Sequence, residues 1–198
     1  MIGQGTFGQV YIASDTQNKD LQVAVKAESL NCRFPQLLNE FQHLKNLAGK
    51  GYPKLIHQGI CVEKDQIYMI TQLLGPTLED LFNFCGRKFS TKTTLMLFYQ
   101  ILERLEHMHG KGLVHRDLKP DNIMMGMSEY SDTVHLIDFG LCRQVWNPKT
   151  GKHIDFRTGK NLVGTARYVS INAHLGYEPS MRDDLLTLGF VMVYLTLG

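Results

Sequence analysis

The chain has 198 residues, a formal net charge of +2, 43% hydrophobic and 10% aromatic residues. That is an ordinary globular composition, enough for one moderate domain or two small lobes, and it gives no sign of a nucleic-acid-binding or membrane-binding surface. Cys32, Cys61, Cys85 and Cys142 are scattered without a C-x-x-C pair. Neither a zinc site nor a disulfide framework is suggested, and an intracellular, reducing compartment, cytoplasmic and nuclear, is the natural expectation. No apolar run approaches the roughly 18 residues that a membrane span requires.

The chain opens on Gly3-Gln4-Gly5-Thr6-Phe7-Gly8-Gln9-Val10, a G-x-G-x-x-G-x-V pattern. Glycines let backbone N–H groups approach phosphate oxygens closely. The same spacing marks dinucleotide-binding folds, but those need a helix at the last glycine. Here Val10-Tyr11-Ile12-Ala13 follows, β-branched and aromatic, which predicts a strand. A strand, a glycine turn and a second strand make a hairpin lid over phosphates.

Residues 21–26 read as a further strand, ending in Val23-Ala24-Val25-Lys26. After the glycine loop, Lys26 reads as the cation that meets the α- and β-phosphates of a nucleotide. Such a lysine needs a carboxylate to hold it. Residues 35–48 have helical spacing and contain Glu40, the preferred partner. Glu28 is its rival on spacing, but its side chain leaves the strand the same way as that of Lys26 rather than across to a partner. Two more strands are predicted over residues 54–60 and 67–74, before Leu73-Leu74-Gly75-Pro76 breaks the pattern. That break is a candidate hinge, where Gln72 to Leu74 offer backbone groups to adenine and Thr71 stands just ahead of it.

Thr77 is a predicted N-cap for a short helix with acids in its first turn. Residues 91–109 predict a long core helix, with Leu95, Leu97, Phe98, Ile101, Leu102, Leu105 and Met108 recurring at threes and fours. Next comes His115-Arg116-Asp117-Leu118-Lys119-Pro120-Asp121-Asn122. Asp117 suits the proton of an attacking hydroxyl, Lys119 the charge on a transferring phosphoryl group, and Asn122 a hard cation such as Mg²⁺. His115 reads as a packing residue. Residues 133–137 form a strand that delivers Asp138-Phe139-Gly140, whose carboxylate reads as the second Mg²⁺ ligand.

Taken in order, these motifs resemble those of the protein kinases. Within them, residues 73–82, Lys119-Pro120-Asp121-Asn122, Gly164-Thr165-Ala166-Arg167-Tyr168 and Ser170-Ile171-Asn172 are similar to the casein kinase 1 family. The resemblance implies an α+β bilobal fold: an N-terminal antiparallel-sheet lobe with one helix over residues 1–72, a hinge at 73–76, and a mostly helical C-terminal lobe over 77–198. It implies a monomeric serine/threonine kinase using ATP and Mg²⁺ on acidic or already phosphorylated protein substrates. ATP contacts are implied at Ile2, Gly3, Gly5, Phe7, Gly8, Val10, Ala24, Lys26, Thr71, Gln72 and Leu74. The catalytic set is Asp117, Lys119, Lys26, Glu40 and Thr165, the last of which touches the acid and lysine in the family; Asn122 and Asp138 are the metal ligands. Asp184 matches an aspartate that braces the catalytic loop from a buried helix, over residues 181–197. Arg116, Arg143, Lys160 and Arg167 are expected to converge as a site for substrate anions. A pseudokinase scaffold is the alternative, but such chains usually lose the strand lysine, the catalytic acid or the metal acid, and all are present here. Both ends fall on functional or apolar elements, so a partial domain is expected, with one apolar face of the last helix uncovered.

Overall fold

The structure is a computed structural model that describes residues 3–5, 8–18, 21–32, 35–147 and 149–198. It divides into two compact units, 1–74 and 75–198.

The first unit is an antiparallel sheet with one helix. Its strands are β1 (Gly3–Gly5), β2 (Gly8–Ser14), β3 (Gln22–Ser29), β4 (Leu55–Cys61) and β5 (Gln66–Gln72), in the order β1-β2-β3-β5-β4. Helix α1 is Leu37–Leu47, tighter than the predicted 35–48. Its buried residues Leu37, Glu40, Leu44 and Leu47 recur at threes and fours, one stripe of a helix surface.

The register decides which side chains share a face, because residues directly opposite in antiparallel strands point the same way. Val10 lies opposite Lys26, and Thr71 opposite Ala24. Ala24 and Lys26 are two apart on β3, so Val10, Ala24, Lys26 and Thr71 occupy one face, all half-buried. The β1–β2 hairpin sets Gly5 opposite Gly8. A side chain at Gly8 would put its Cβ 2.5 Å from the carbonyl oxygen of Ala27, so the sheet itself requires glycine there, whatever else the loop does.

The second unit is mostly helical: α2 (Leu78–Phe84), α3 (Thr91–Gly110), α4 (Ile171–His174) and α5 (Met181–Leu197). Short strands β6 (Leu113–Val114) and β9 (Arg143–Gln144) pair with each other, as do β7 (Ile123–Met125) and β8 (Val134–Leu136). Thr77 caps α2 in a capping box with Asp80. Helix α3 buries Leu97, Ile101, Leu105 and Met108. Leu95 and Leu102, predicted on that stripe, stand 54% and 37% exposed instead, on the flank of the helix. Helix α5 buries Leu188, Val191 and Leu195 but leaves Leu185, Leu186, Phe190, Val193 and Leu197 exposed. No helix among the described residues is long and apolar enough to cross a membrane.

Acid sensitivity is built into the second unit. His135 is buried on β8, where desolvation, reinforced by the charge of Arg104, lowers its pKa from the ordinary 6.5, and a bond to the carbonyl of Thr133 only partly offsets this. His107 on α3, an exposed residue, is lowered by partial desolvation and by Lys111. A histidine held neutral binds fewer protons folded than unfolded, so stability is complete above the unfolded pKa and declines as pH falls below it. The melting temperature is therefore expected to drop as pH falls below about 6.5, the ordinary histidine value, and His135→Asn should flatten that slope. An equal slope in the variant would refute the assignment.

Candidate active site

In the first unit, Lys26 Nζ lies 2.6 Å from Glu40 Oε2, and the two side chains are 20% and 6% exposed. Strand β3 supplies the cation and α1 the carboxylate. Burial makes such a pair depend on good geometry, since removing one partner strands the other charge.

Glu28 has a partner that the sequence reading denied it. Its side chain does share a face with that of Lys26, but it is buried and accepts hydrogen bonds from the amides of Gln36 (3.1 Å) and Leu37 (2.8 Å). Helix α1 has no side-chain cap of its own at Gln36. The strand therefore supplies a carboxylate to the positive end of the helix. Glu28 fixes one end of α1 to β3, and one turn further on Glu40 reaches Lys26. Losing a cap typically costs about 0.5–2 kcal/mol. Glu28→Ala is expected to destabilise the first unit by about that amount in a denaturant titration and to weaken nucleotide binding through Glu40. Unchanged stability would show that water satisfies these amides equally well.

Of the residues expected to contact a nucleotide, Gly3, Gly5, Gly8 and Val10 lie on the β1–β2 hairpin, and Ala24 and Lys26 on β3. Thr71 and Gln72 end β5, and Leu74 is buried two residues beyond. Ile2 and Phe7 fall outside the described residues.

In the second unit, the loop after β6 is held from below by α5. Asp184 Oδ2 accepts from the amide of His115 at 2.8 Å and lies 2.9 Å from His109 Nε2; Oδ1 accepts from the amide of Arg116 at 2.9 Å. Arg116 has φ +69, a conformation that needs such support outside glycine. His115 is fully buried; its Nδ1 accepts from the Asp117 amide at 3.3 Å and its Nε2 meets the Ile137 carbonyl at 3.1 Å. One neutral tautomer satisfies both contacts.

Asp117 is 7% exposed, and its carboxylate is fully engaged. Oδ1 accepts from Thr165 Oγ1 at 2.7 Å, and Oδ2 from Asn122 Nδ2 at 3.1 Å with Lys119 Nζ also 3.1 Å away. Lys119 Nζ donates to Thr165 Oγ1 at 3.2 Å as well, closing a ring of acid, hydroxyl and ammonium. Thr165 reaches this position because Gly164 turns at φ +93; a Cβ there would lie 2.3 Å from the Arg116 carbonyl oxygen.

The pair Asn122 and Asp138 is brought together by the β7–β8 hairpin. Ile123 lies opposite Leu136, and the Ile137 amide donates to the Asn122 carbonyl at 3.0 Å. Asn122 spends its amide nitrogen on the carbonyl (2.9 Å) and carboxylate of Asp117, which turns its amide oxygen the other way. Asp138 follows with φ +63. One carboxamide and one carboxylate oxygen suit Mg²⁺, a hard cation that completes its shell with phosphates and water rather than an all-protein cage. No cluster of three or more His, Cys, Asp or Glu that could hold a metal ion occurs among the described residues.

The four cations expected to converge divide into three and one. Strand pairing sets Arg143 opposite Val114, beside the loop. Arg116 and Arg143 lie 3.4 Å and 2.8 Å from Glu178 Oε1, and Lys160 lies 3.9 Å from Oε2. Their meeting point is thus an internal carboxylate, 5% exposed at the side chain, which the sequence reading did not single out. Burial lowers the pKa of Arg116, with Glu178 opposing the shift. Arg167 stands apart: its guanidinium lies 5.9 Å from the ring centre of Tyr168 and 5.7 Å from that of Tyr194. The turn after Gly164 carries it onto aromatic rings rather than toward Glu178.

A β-sheet unit with a pinned lysine and a helical unit with a buried, hydroxyl-bonded acid are two parts of one kind of machine. The family model of the protein kinase domain matches the chain over residues 1–198, and the chain belongs to the protein kinase family.

Proposed function

We propose that the protein is a serine/threonine kinase, similar to the casein kinase 1 family, that transfers the γ-phosphate of ATP to acidic or phosphorylated protein substrates. The observation that carries this reading is the closed contact among Asp117, Thr165 and Lys119. Asp117 is placed to orient a substrate hydroxyl and take its proton, and Lys119 to offset charge on the group being transferred. Thr165 holds the acid in register. Asn122 and Asp138 would hold Mg²⁺, which when bound neutralises phosphate charge. Lys26, positioned by Glu40, would meet the α- and β-phosphates, and Gly3, Gly5 and Gly8 would bring backbone amides to them; Ile2, Phe7, Val10, Ala24, Thr71, Gln72 and Leu74 would bound the base and sugar.

The preference for anionic substrates has support in charge. Three cations around one carboxylate leave an excess of two positive charges at Arg116, Arg143 and Lys160. Arg143 and Lys160 are 32% and 38% exposed at the side chain, open enough to be approached. Arg167 adds a separate cation near Thr165. The apolar side chains that α5 leaves exposed support a further reading, that additional polypeptide covers this helix in the complete domain.

The test is radiolabelled phosphate transfer by the full-length protein to serine, threonine and tyrosine peptides in neutral, acidic and phosphorylated versions. Label is expected on serine and threonine, strongest on the anionic peptides, and lost in Asp138→Asn. A wild type no more active than that variant would favour a scaffold that binds partners without catalysis.

A further inference from the structure

We propose that Tyr194 is a specificity-positioning residue that presents Arg167 to an anionic group of the substrate. This rests on the acidic-substrate reading above. Arg167 is exposed and pairs with no carboxylate among the described residues. Its guanidinium lies instead over two rings, those of Tyr168 and Tyr194. Stacking of this kind holds a cation in place without neutralising it. A long side chain, which also hydrogen-bonds Tyr168, is thereby oriented in advance, and its remaining N–H groups are available to a carboxylate or phosphate.

The rings themselves are anchored. Tyr168 is 5% exposed, and burial pushes its phenol up to about 12, so it stays neutral beside Arg167. Its ring meets that of Tyr194 edge-on, with centroids 5.6 Å apart. The Tyr194 hydroxyl donates to Glu79, at 3.0 Å from Oε1, and accepts from Arg87 at 2.8 Å. Phe82 lies against the same ring, 4.8 Å between centroids. Arg87 reaches this position from a backbone φ of +61, unusual for a non-glycine residue, and Glu79 offsets its charge 3.5 Å away. Strain of this kind persists where surrounding contacts over-determine it. Tyr194 is therefore a fixed platform.

The platform is tied to the chemistry by one short turn. The Tyr168 amide donates to the Thr165 carbonyl at 2.9 Å, and the Thr165 hydroxyl touches Asp117. A cation two residues from Thr165 is well placed to read a substrate residue close to the acceptor hydroxyl. Helix α5 thus serves the site at both ends, with Asp184 under the catalytic loop and Tyr194 under Arg167.

The test compares kcat/KM of the full-length protein on three peptides that differ only near the acceptor serine: Glu, phosphoserine or Gln. Tyr194→Met fills the space without a ring face. It is expected to lower the ratio of anionic to Gln peptide by about threefold to tenfold, the range of a cation–ring contact, through KM rather than kcat. Tyr194→Phe loses the hydroxyl bonds but keeps the ring against Phe82 and Tyr168, and is expected to keep most of the ratio. In an Arg167→Ala background, Tyr194→Met should change the ratio no further. A Glu response without a phosphoserine response, or the reverse, identifies which anion Arg167 reads. An unchanged ratio in Tyr194→Met, or an equal fall in kcat on all peptides, would overturn the proposal. A wild type that treats the three peptides alike would remove the acidic-substrate reading itself, and the proposal with it.

Discussion

Asp184→Ala is expected to destabilise the second unit by about 3–9 kcal/mol, the sum of two stranded backbone amides and a lost histidine contact at about 1–3 kcal/mol each. Asp184 is 2% exposed, so water does not readily replace its oxygens. Of its three partners, the Arg116 amide sits at φ +69 and the His115 amide belongs to a fully buried residue. Folded domains have margins of about 5–15 kcal/mol, so much of the stability would be lost, with a fall in melting temperature of about 10 °C or more. Phosphate transfer should fall as well, because the same bonds set the direction of the loop that carries Asp117. Asp184→Asn keeps one oxygen but points an amide donor at an N–H, and should lie between the two. Denaturant titration of the three proteins is the measurement. A variant that melts with the wild type would mean that the loop holds its shape unaided.

Much of this site was legible because its chemistry is local in sequence. Asp117, Lys119 and Asn122 sit within one loop, and Asp138 lies just beyond the strand that pairs with the one following Asn122. Helical spacing placed Glu40 on α1, where its side chain is buried and meets Lys26. The residues that went unread act over distance. Glu28 caps a helix that begins nine residues later, on the far side of a turn, and no periodicity marks a strand carboxylate as a cap. Glu178 stands in the irregular segment between α4 and α5, whose local sequence marks no role for it, yet it draws in cations from positions 116, 143 and 160. Charge type alone placed Arg167 with those cations. What separates it is shape: the turn after Gly164 delivers it to two tyrosines, and a ring leaves no signature in a count of charges.

Asp117→Asn is expected to reduce kcat by about 10²–10⁴, the usual contribution of a positioned acid or base, with much smaller changes in nucleotide KM. The carboxylate is held by Thr165, Asn122 and Lys119. An asparagine oxygen at Oδ1 would still accept from Thr165. Its amide nitrogen at Oδ2 would face two donors, Asn122 Nδ2 and Lys119 Nζ, and would have no lone pair for a substrate proton. The fold should survive, since Asp184 rather than Asp117 holds the loop backbone. Thr165→Val separates position from proton transfer: it removes the hydroxyl but not the acid, and a loss of roughly tenfold is expected for one charge-assisted hydrogen bond at about 1.5 kcal/mol. Thr165→Ser should restore most of the rate. Measured by phosphate transfer at saturating nucleotide, an Asp117→Asn protein that keeps more than about a tenth of kcat, well outside the acid–base range, would remove Asp117 from its role and leave the hydroxyl ring around it without a chemical purpose.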